Sequence, residues 1–168
     1  MEDLGELKNF LSNIAIFGGL EEATLDRIVG MLRWEEHPKG SVVVREGENG
    51  FSMYVVRSGE VALYRKGSRA TDVRMARLGP GEFFGEMAII DVQARSASVV
   101  VEEPAILYSL TNRDLYTLYQ SDMPGYVMVI QNLCRELSRR LRRADARITQ
   151  TADQASDETT QIRKLPIQ

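Results

Sequence analysis

The stretch from Gly40 to Gly85, GSVVVREGENGFSMYVVRSGEVALYRKGSRATDVRMARLGPGEFFG, decides the fold class. It holds eight of the chain's thirteen glycines, which separate short runs of β-branched and aromatic residues. The predicted strands are Ser41–Arg45, Met53–Arg57, Glu60–Lys66, Val73–Leu78, and further along the chain Ser98–Val101 and Ala105–Leu110. Strands this closely spaced leave no room for crossover helices, so a parallel α/β sheet is disfavoured. The pattern predicts a sandwich, roll or barrel.

Helical periodicity precedes this β region. One apolar face is formed by Leu4, Leu7, Phe10, Leu11 and Ile14, and a second by Leu25, Ile28, Val29 and Leu32. We place Trp34 at the end of the second helix and His37 in a turn. The N-terminal helices are therefore predicted to occupy residues 1–37, and the β region residues 38–110.

Helices return after the β region. Thr111 and Asp114 have the spacing of a capping box and predict a short helix to about Gln120. Pro124 suits a first helical position, and the helix that it opens is predicted to continue to about Ile148, a length of about 37 Å. The C-terminal helices thus span 111–148. Residues 149–168 are polar and aperiodic, and we predict a disordered tail.

The composition excludes several function classes. The chain has 168 residues, of which 43% are apolar and 27% charged, with a net charge of −3. No apolar run is long enough to span a bilayer, and the acidic N-terminus is not a signal segment. A single cysteine, Cys134, and a single histidine, His37, exclude disulfide frameworks, multi-cysteine metal sites and most nucleophile–base catalysis. These features predict a cytoplasmic, soluble, single-domain protein that holds no metal and is not an enzyme.

The segment that carries the chemistry is Gly79–Val99, GPGEFFGEMAIIDVQARSASV. Glu86–Ile90 can form one helical turn after a tight turn at Gly85, and its free amides would favour an anion. Arg95 follows among small residues, and a guanidinium binds phosphate with two hydrogen bonds. The Glu86 carboxylate is better suited to accept hydrogen bonds from hydroxyls. Together these groups suggest one ligand with both a phosphate and a sugar hydroxyl.

Two motifs, Phe84-Gly85-Glu86-Met87-Ala88 and Arg95-Ser96-Ala97, resemble the phosphate-binding cassette of cyclic nucleotide-binding domains. The resemblance covers about residues 10–148 and is to the effector domain of the bacterial cAMP receptor protein and to the regulatory subunit of cAMP-dependent protein kinase. Further motifs that carry it are Ile16-Phe17-x-x-Leu20, Lys39-Gly40-x-Val42-Val43, Glu46-Gly47, Tyr54-Val55-Val56-x-Ser58-Gly59-Glu60-Val61, Leu78-Gly79-x-Gly81-x-Phe83 and the helical segment Leu133–Asp145.

The resemblance implies a mainly β fold, a double-wound β-roll or jelly roll with N-terminal helices and a long C-terminal helix. The cassette would span 83–99. The resemblance assigns the cyclic phosphate to Arg95, Ser96, Ala97 and Ala88, and the ribose to Gly85, Glu86 and Met87. Phe84 would line the pocket, and Arg140 and Leu141 are candidates for a lid near the base. The expected ligand is cAMP rather than cGMP, because members selective for cGMP often carry threonine where this chain has Ser96.

The sequence leaves the structure of one loop and the roles of two further residues open. Val92 and Ala94 replace the glycine and proline of many family members, which puts the rigidity of that loop in doubt. Arg140 could stack on a base, although we favour a solvated side chain for it. Cys134 is expected to be a packed small hydrophobic residue.

The long helix predicts a homodimer through residues 124–148. Its apolar positions recur every 3.5 residues on average, as in a coiled-coil seam; they are Val127, Ile130, Leu133, Leu137, Leu141, Ala144 and Ile148. Six arginines between 126 and 148 could instead form a nucleic-acid surface, but solvated helix positions explain them better. We expect no helix-turn-helix module and no sequence-specific nucleic-acid binding.

The predicted function is a cyclic-nucleotide receptor that moves its C-terminal helix on binding and so regulates an unknown downstream protein. The alternative is a dimeric structural adaptor on the same fold that does not respond to ligand.

Overall fold

The computed structural model describes residues 3–67, 71–91 and 93–162, with 153–162 described by their backbone alone. The elements in chain order are α1 (Leu4–Ser12), α2 (Glu22–Met31), β1 (Arg33–His37), β2 (Val42–Val44), β3 (Ser52–Lys66), β4 (Asp72–Leu78), β5 (Phe83–Phe84), α3 (Met87–Ile90), β6 (Ser98–Thr111), α4 (Asn112–Ser121) and α5 (Met123–Ile162).

The strands form one antiparallel sheet in the order β1-β6-β3-β4, with β2 paired to β6 and β5 paired to β3. Its spine is the pairing of β3 with β6, which extends from Ser52 opposite Thr111 to Tyr64 opposite Ser98. The predicted fold class, mainly β with flanking helices and a long C-terminal helix, is confirmed.

Two predicted breaks in the strands are wrong. The segments on either side of Ser58 belong to the single strand β3, and those on either side of Glu103 belong to β6. Gly59 explains the continuity, because its positive φ of 81° lets β3 bend while the register shifts around it. A side chain there would also collide with the carbonyl of Pro104 on β6, so the two strands approach closely only because residue 59 is glycine.

Residues 33–37 were predicted to belong to the N-terminal helices and form β1 instead. Trp34 therefore lies in a strand, where its ring packs edge-on against the Tyr108 ring with 5.7 Å between the ring centres. His37 is the last residue of that strand rather than part of a turn. The segment Arg-Trp-Glu-Glu-His lacks an apolar–polar alternation, so local pattern did not identify it. Its pairing with residues 105–109 of β6 makes it a strand.

The predicted tail is wrong over residues 149–162, where α5 continues to Ile162. Residues 163–168 lie outside the described part of the chain. The sequence from 149 to 162 contains no glycine or proline to stop a helix, and its alanine, glutamine and glutamate residues are good helix formers. Polarity alone was therefore a poor argument for disorder here.

Two clusters of buried side chains position the site. One joins α1, α2, α4 and the start of α5 to one end of the sheet, with Leu11, Leu118 and Leu133 fully buried. The other lies inside the strands around Phe84, Val99 and Leu107. The predicted capping box is confirmed, because the Thr111 side chain accepts a hydrogen bond from the amide of Asp114 while the Asp114 carboxylate accepts one from the amide of Thr111.

Candidate ligand-binding site

A cavity opens between the short helix α3, the loop that follows it and the strands β2, β3 and β6. The groups that define it come from four places in the chain: α3 and its start at Glu86, the loop at Arg95, the inner strands, and Arg140 on α5. Its lining consists of Val44, Leu63, Phe84, Gly85, Glu86, Met87, Ala88, Asp91, Gln93, Ala94, Arg95, Ser96, Ala97, Val99 and Arg140.

Arg95 is fixed in this cavity by backbone and side-chain contacts. Its amide donates to the carbonyl of Glu48 at 2.8 Å, and its own carbonyl accepts from the amide of Gly47 at 2.9 Å. The guanidinium donates to the carbonyl of Ser52 at 2.8 Å and lies 5.9 Å from the centre of the Tyr54 ring. The residue is only 9% exposed. The guanidinium is therefore held in one position before any ligand arrives.

The charge on Arg95 lacks a direct counter-ion. Within the described ranges, no carboxylate lies within salt-bridge distance of its guanidinium. Burial lowers the pKa of Arg95 from its ordinary value, while the Tyr54 hydroxyl, Glu48 and Glu86 act in the opposite direction. Arginine stays protonated in proteins. A buried cation without a partner is costly, so this position favours an anion in the cavity.

Two glycines create the space that Arg95 occupies. A Cβ on Gly85 would lie 2.6 Å from a terminal nitrogen of the guanidinium. The φ of Gly85 is +78°, a backbone conformation that residues other than glycine rarely adopt. A Cβ on Gly50 would collide with the middle of the Arg95 side chain. Residue 50 was not among the predicted site residues. Its position was not recognisable from sequence, because it lies 45 residues before the arginine that it accommodates.

Glu86 lies at the start of α3 and is paired with a residue of α5. Its Oε1 accepts a hydrogen bond of 2.9 Å from Arg140, and its side chain is only 7% exposed. Arg140 also donates to the carbonyl of Phe83 at 3.0 Å and lies 4.6 Å from the centre of the Phe83 ring. The expectation that Arg140 is solvated is therefore wrong. Among the described side chains of α5, Arg140 is the one that lines the cavity.

The cavity thus offers a buried guanidinium and a buried carboxylate to one ligand. The family profile described as "Cyclic nucleotide-binding domain" matches residues 34–122, which include both groups. This chain belongs to the cyclic nucleotide-binding domain family.

Relatives of this chain include a receptor protein and a protein kinase, each named for a cyclic nucleotide. The "Cyclic AMP receptor protein" of Thermus thermophilus is 36% identical over 130 residues, which are 77% of this chain and 58% of that protein. The "cGMP-dependent protein kinase 2" of Mus musculus is 30% identical over 133 residues, which are 74% of this chain and 18% of the kinase. The chain therefore spans little more than half of the first relative and a small part of the second.

Solved structures share the fold. The Thermus thermophilus catabolite activator protein superposes with a TM-score of 0.73 at 34% identity, covering 82% of this chain and 63% of the other. The regulatory domain of Toxoplasma gondii PKA, crystallised with cAMP, has a TM-score of 0.64 at 24% identity and covers 70% of this chain and 46% of the other, a likeness of fold.

Most of the site residues predicted from sequence line this same cavity. The predicted residues that do so are Phe84, Gly85, Glu86, Met87, Ala88, Arg95, Ser96, Ala97 and Arg140. Leu141 does not; it is 63% exposed on α5, one residue beyond Arg140. The amide of Ala88 donates to the carbonyl of Gly85 at 3.2 Å, inside the turn that opens α3. Of the two departures from the family pattern, Ala94 lines the cavity and Val92 lies outside the described residues.

Sequence reasoning also missed how α5 is anchored. Asn132 is buried, and its amide donates to the carbonyls of Ile16 and Gly18 at 3.3 and 2.9 Å. Asp122, just before α5, accepts hydrogen bonds from Thr24 and from the amide of Gly125. These bonds lower the pKa of Asp122, the one from Thr24 most strongly. These hydrogen bonds attach the start of α5 to α2 and to the segment between α1 and α2.

Other site types are not found where the structure describes the chain. In those ranges, no group of three His, Cys, Asp or Glu side chains is placed to hold a metal. Likewise, none of the helices searched among the described residues has the length and hydropathy of a membrane span.

Proposed function

We propose that this chain binds a cyclic nucleotide in the cavity under α3 and responds by repositioning α5. One observation carries the proposal: the buried guanidinium of Arg95 has no carboxylate partner in the described chain and faces a cavity that it shares with Glu86. A ligand with one phosphate negative charge supplies the missing counter-ion, since a charge-assisted pair in a buried site is strong.

Different residues of the cavity would contact different parts of the ligand. Arg95 would bind the cyclic phosphate with two parallel hydrogen bonds, supported by the backbone around Ser96, Ala97 and Ala88. Glu86 would accept a hydrogen bond from the ribose 2′-hydroxyl through the carboxylate oxygen that Arg140 leaves free. Gly85 and Met87 would lie beside the ribose, with Phe84 beneath it.

We propose cAMP as the preferred ligand. The relative with 36% identity is named a cyclic AMP receptor protein, and Ser96 follows the arginine where members selective for cGMP often carry threonine. The similarity to cGMP-dependent kinases makes cGMP the competitor that a binding experiment has to include.

The link from ligand to response is the pair of Glu86 with Arg140. A ligand that contacts Glu86 changes the environment of the same carboxylate that holds α5, so it binds the two positions of the helix unequally. Unequal affinity is what shifts a conformational equilibrium. We propose that the shifted helix regulates a downstream protein, and that α5 also supports a homodimer through residues 124–148.

Isothermal titration calorimetry on nucleotide-free protein tests the proposal, with cAMP and cGMP as ligands. Arg95→Ala should weaken binding by about 2 to 5 kcal/mol, roughly 30- to several-thousand-fold, because a buried charge contact is lost. Arg113→Ala is the matched control, since Arg113 is exposed on α4 and does not line the cavity. Absence of binding to folded wild-type protein would contradict the proposal and favour the ligand-insensitive adaptor.

A further inference from the structure

Tyr54 of β3 lies beside Arg95 although it does not line the cavity. The guanidinium carbon of Arg95 lies over the Tyr54 ring, 5.9 Å from the ring centre. A guanidinium within about 6 Å of the centre of an aromatic ring is attracted by the negative charge of the ring face. In the described part of the chain, Tyr54 is not among the residues that line the cavity. Any effect of Tyr54 on a ligand would therefore act through the cavity residues that it contacts.

The pairing of β3 holds the Tyr54 ring in place. Tyr54 lies opposite Phe84 of β5 on one side of the strand and opposite Ser109 of β6 on the other. Its ring stacks on the Phe84 ring, with 5.1 Å between the ring centres and 15° between the ring planes. Both Phe84 and Ser109 are buried. The ring that Arg95 contacts is therefore fixed by the packed interior of the sheet.

The strand β3 contacts the Arg95 guanidinium at two points that are two residues apart. The carbonyl of Ser52 accepts a hydrogen bond of 2.8 Å from one terminal nitrogen, and the Tyr54 ring lies next to the same group. A single hydrogen bond leaves the guanidinium free to turn about that bond, whereas a ring beside it restricts the rotation. Orientation matters here, because a flat guanidinium binds a phosphate with two parallel hydrogen bonds only when its edge faces the phosphate.

The Tyr54 ring attracts the guanidinium without neutralising it. Burial raises the pKa of Tyr54 from its ordinary value, and Glu35 raises it further, while Arg95 acts in the opposite direction. The phenol therefore stays neutral near pH 7, since the ordinary pKa of tyrosine is about 10. A carboxylate in the same place would form an ion pair with Arg95 and compete with an anionic ligand. An aromatic partner leaves the charge of Arg95 available to that ligand.

We propose that Tyr54 is a positioning residue, whose ring face orients the Arg95 guanidinium for the phosphate of the ligand. The inference rests on the proposed binding of a cyclic nucleotide, and it adds a residue that lies outside the phosphate-binding motif. Because the ring face is the part that acts, Tyr54→Phe should behave like wild type. Tyr54→Leu and Tyr54→pentafluorophenylalanine should not, because leucine has no ring and fluorination withdraws the negative charge from the ring face.

NMR of the Arg95 side chain in ligand-free protein is the first test, because it needs no nucleotide. In isotope-labelled protein, Arg95→Ala identifies the Nε–H signal of Arg95 by its absence. In Tyr54→Leu and Tyr54→pentafluorophenylalanine, this Nε–H should exchange with water about 2- to 30-fold faster than in wild type, the range that corresponds to a cation–π contact. Tyr54→Phe should leave the rate unchanged. Tyr64→Leu is the matched control, because Tyr64 lies on the same strand and its hydroxyl binds Glu102 instead.

Calorimetry with cAMP on the same variants is the second test. Tyr54→Leu and Tyr54→pentafluorophenylalanine should bind cAMP about 2- to 30-fold more weakly, and Tyr54→Phe and Tyr64→Leu should bind it like wild type. Equal exchange at Arg95 and equal affinity in the two ring variants of Tyr54 would overturn the inference, because the ring would then only fill space. Both ring variants nearly keep the volume of tyrosine, so their comparison does not depend on how well Tyr54→Leu folds. Wild-type protein that binds no cAMP would contradict the proposed function, while the exchange rates at Arg95 would still decide the role of Tyr54.

Discussion

Arg140 of α5 donates a hydrogen bond of 2.9 Å to Glu86 at the start of α3, and so joins residues that are 54 positions apart in the sequence. Glu86 is buried, and Arg140 is its ion-pair partner among the described residues. A buried carboxylate that loses its partner is strongly disfavoured. The pair therefore ties the position of the helix to the orientation of a cavity residue.

Arg140→Ala should release α5 from the cavity. Without the contacts to Glu86 and Phe83, the amides of α5 between 136 and 148 should exchange hydrogen about tenfold faster, since local opening loses charge-assisted hydrogen bonds. Hydrogen exchange measured by mass spectrometry on ligand-free protein checks this. Arg139→Ala is the control, because Arg139 is an exposed neighbour whose ion pair in the described part of the chain is with Glu136 and not with a cavity residue. Equal exchange in the two variants would show that the pair does not hold the helix.

Gly50→Ala should disturb the site more than the fold. The added methyl group would collide with the Arg95 side chain, and overpacking of this kind costs about 1 to 3 kcal/mol. If Arg95 moves to relieve the collision, cAMP affinity should fall by roughly 5- to 150-fold. Gly79→Ala is the matched control, because nothing lies within 4 Å of a Cβ at that position. Calorimetry and urea unfolding of both variants separate loss of binding from loss of stability. Unchanged affinity in Gly50→Ala would show that Gly50 is not needed to position Arg95.

The fold was readable from sequence to the extent that local signals determine it. Glycine spacing predicted the strands, and the capping box at Thr111 predicted the start of α4. The strand at Trp34 was missed because its pairing with β6 supplies what its own pattern lacks. Asn132 was missed for a similar reason: a polar residue in a helix has no local sign that it will bind carbonyls more than 110 residues away.

The same distinction applies to the site. Arg95 and Glu86 were found because they lie in one short motif. The hydrogen bond between Glu86 and Arg140 was not found, and neither was the space that Gly50 leaves for Arg95, since each involves distant parts of the chain. Cys134 is exposed because the domain covers the other side of α5. Periodicity alone cannot show which side of a helix is covered, so it placed Leu133 in the predicted coiled-coil seam, although Leu133 is fully buried.

Glu86→Ala should abolish discrimination between cAMP and 2′-deoxy-cAMP. If Glu86 accepts a hydrogen bond from the 2′-hydroxyl, wild-type protein should prefer cAMP by roughly 10- to 150-fold, as expected for a hydrogen bond of about 1.5 to 3 kcal/mol to a charged group. In Glu86→Ala both ligands should bind with similar, weaker affinity. The comparison of two ligands in two proteins isolates this contact from any general damage to the site. A preference that survives in Glu86→Ala would place the 2′-hydroxyl elsewhere.

The stability of the chain should fall in acid partly through Asp114. Burial opposes ionisation of this carboxyl, but hydrogen bonds from Arg33 and Thr111 outweigh it, and the pKa of Asp114 is lowered in the folded state. A lowered folded pKa contributes stability above the ordinary value of about 3.9, and that contribution is lost as the pH falls through the folded pKa. Asp114→Asn should therefore be less stable than wild type at pH 7, and this difference in stability should disappear below about pH 4.

Thr111→Ala should lower the stability by about 1 kcal/mol at pH 7, which is typical of a lost helix cap. Urea unfolding of wild type and both variants between pH 7 and pH 3 measures these differences. If the gap between wild type and Asp114→Asn stays constant across that range, the ionised carboxylate is not the source of the stability.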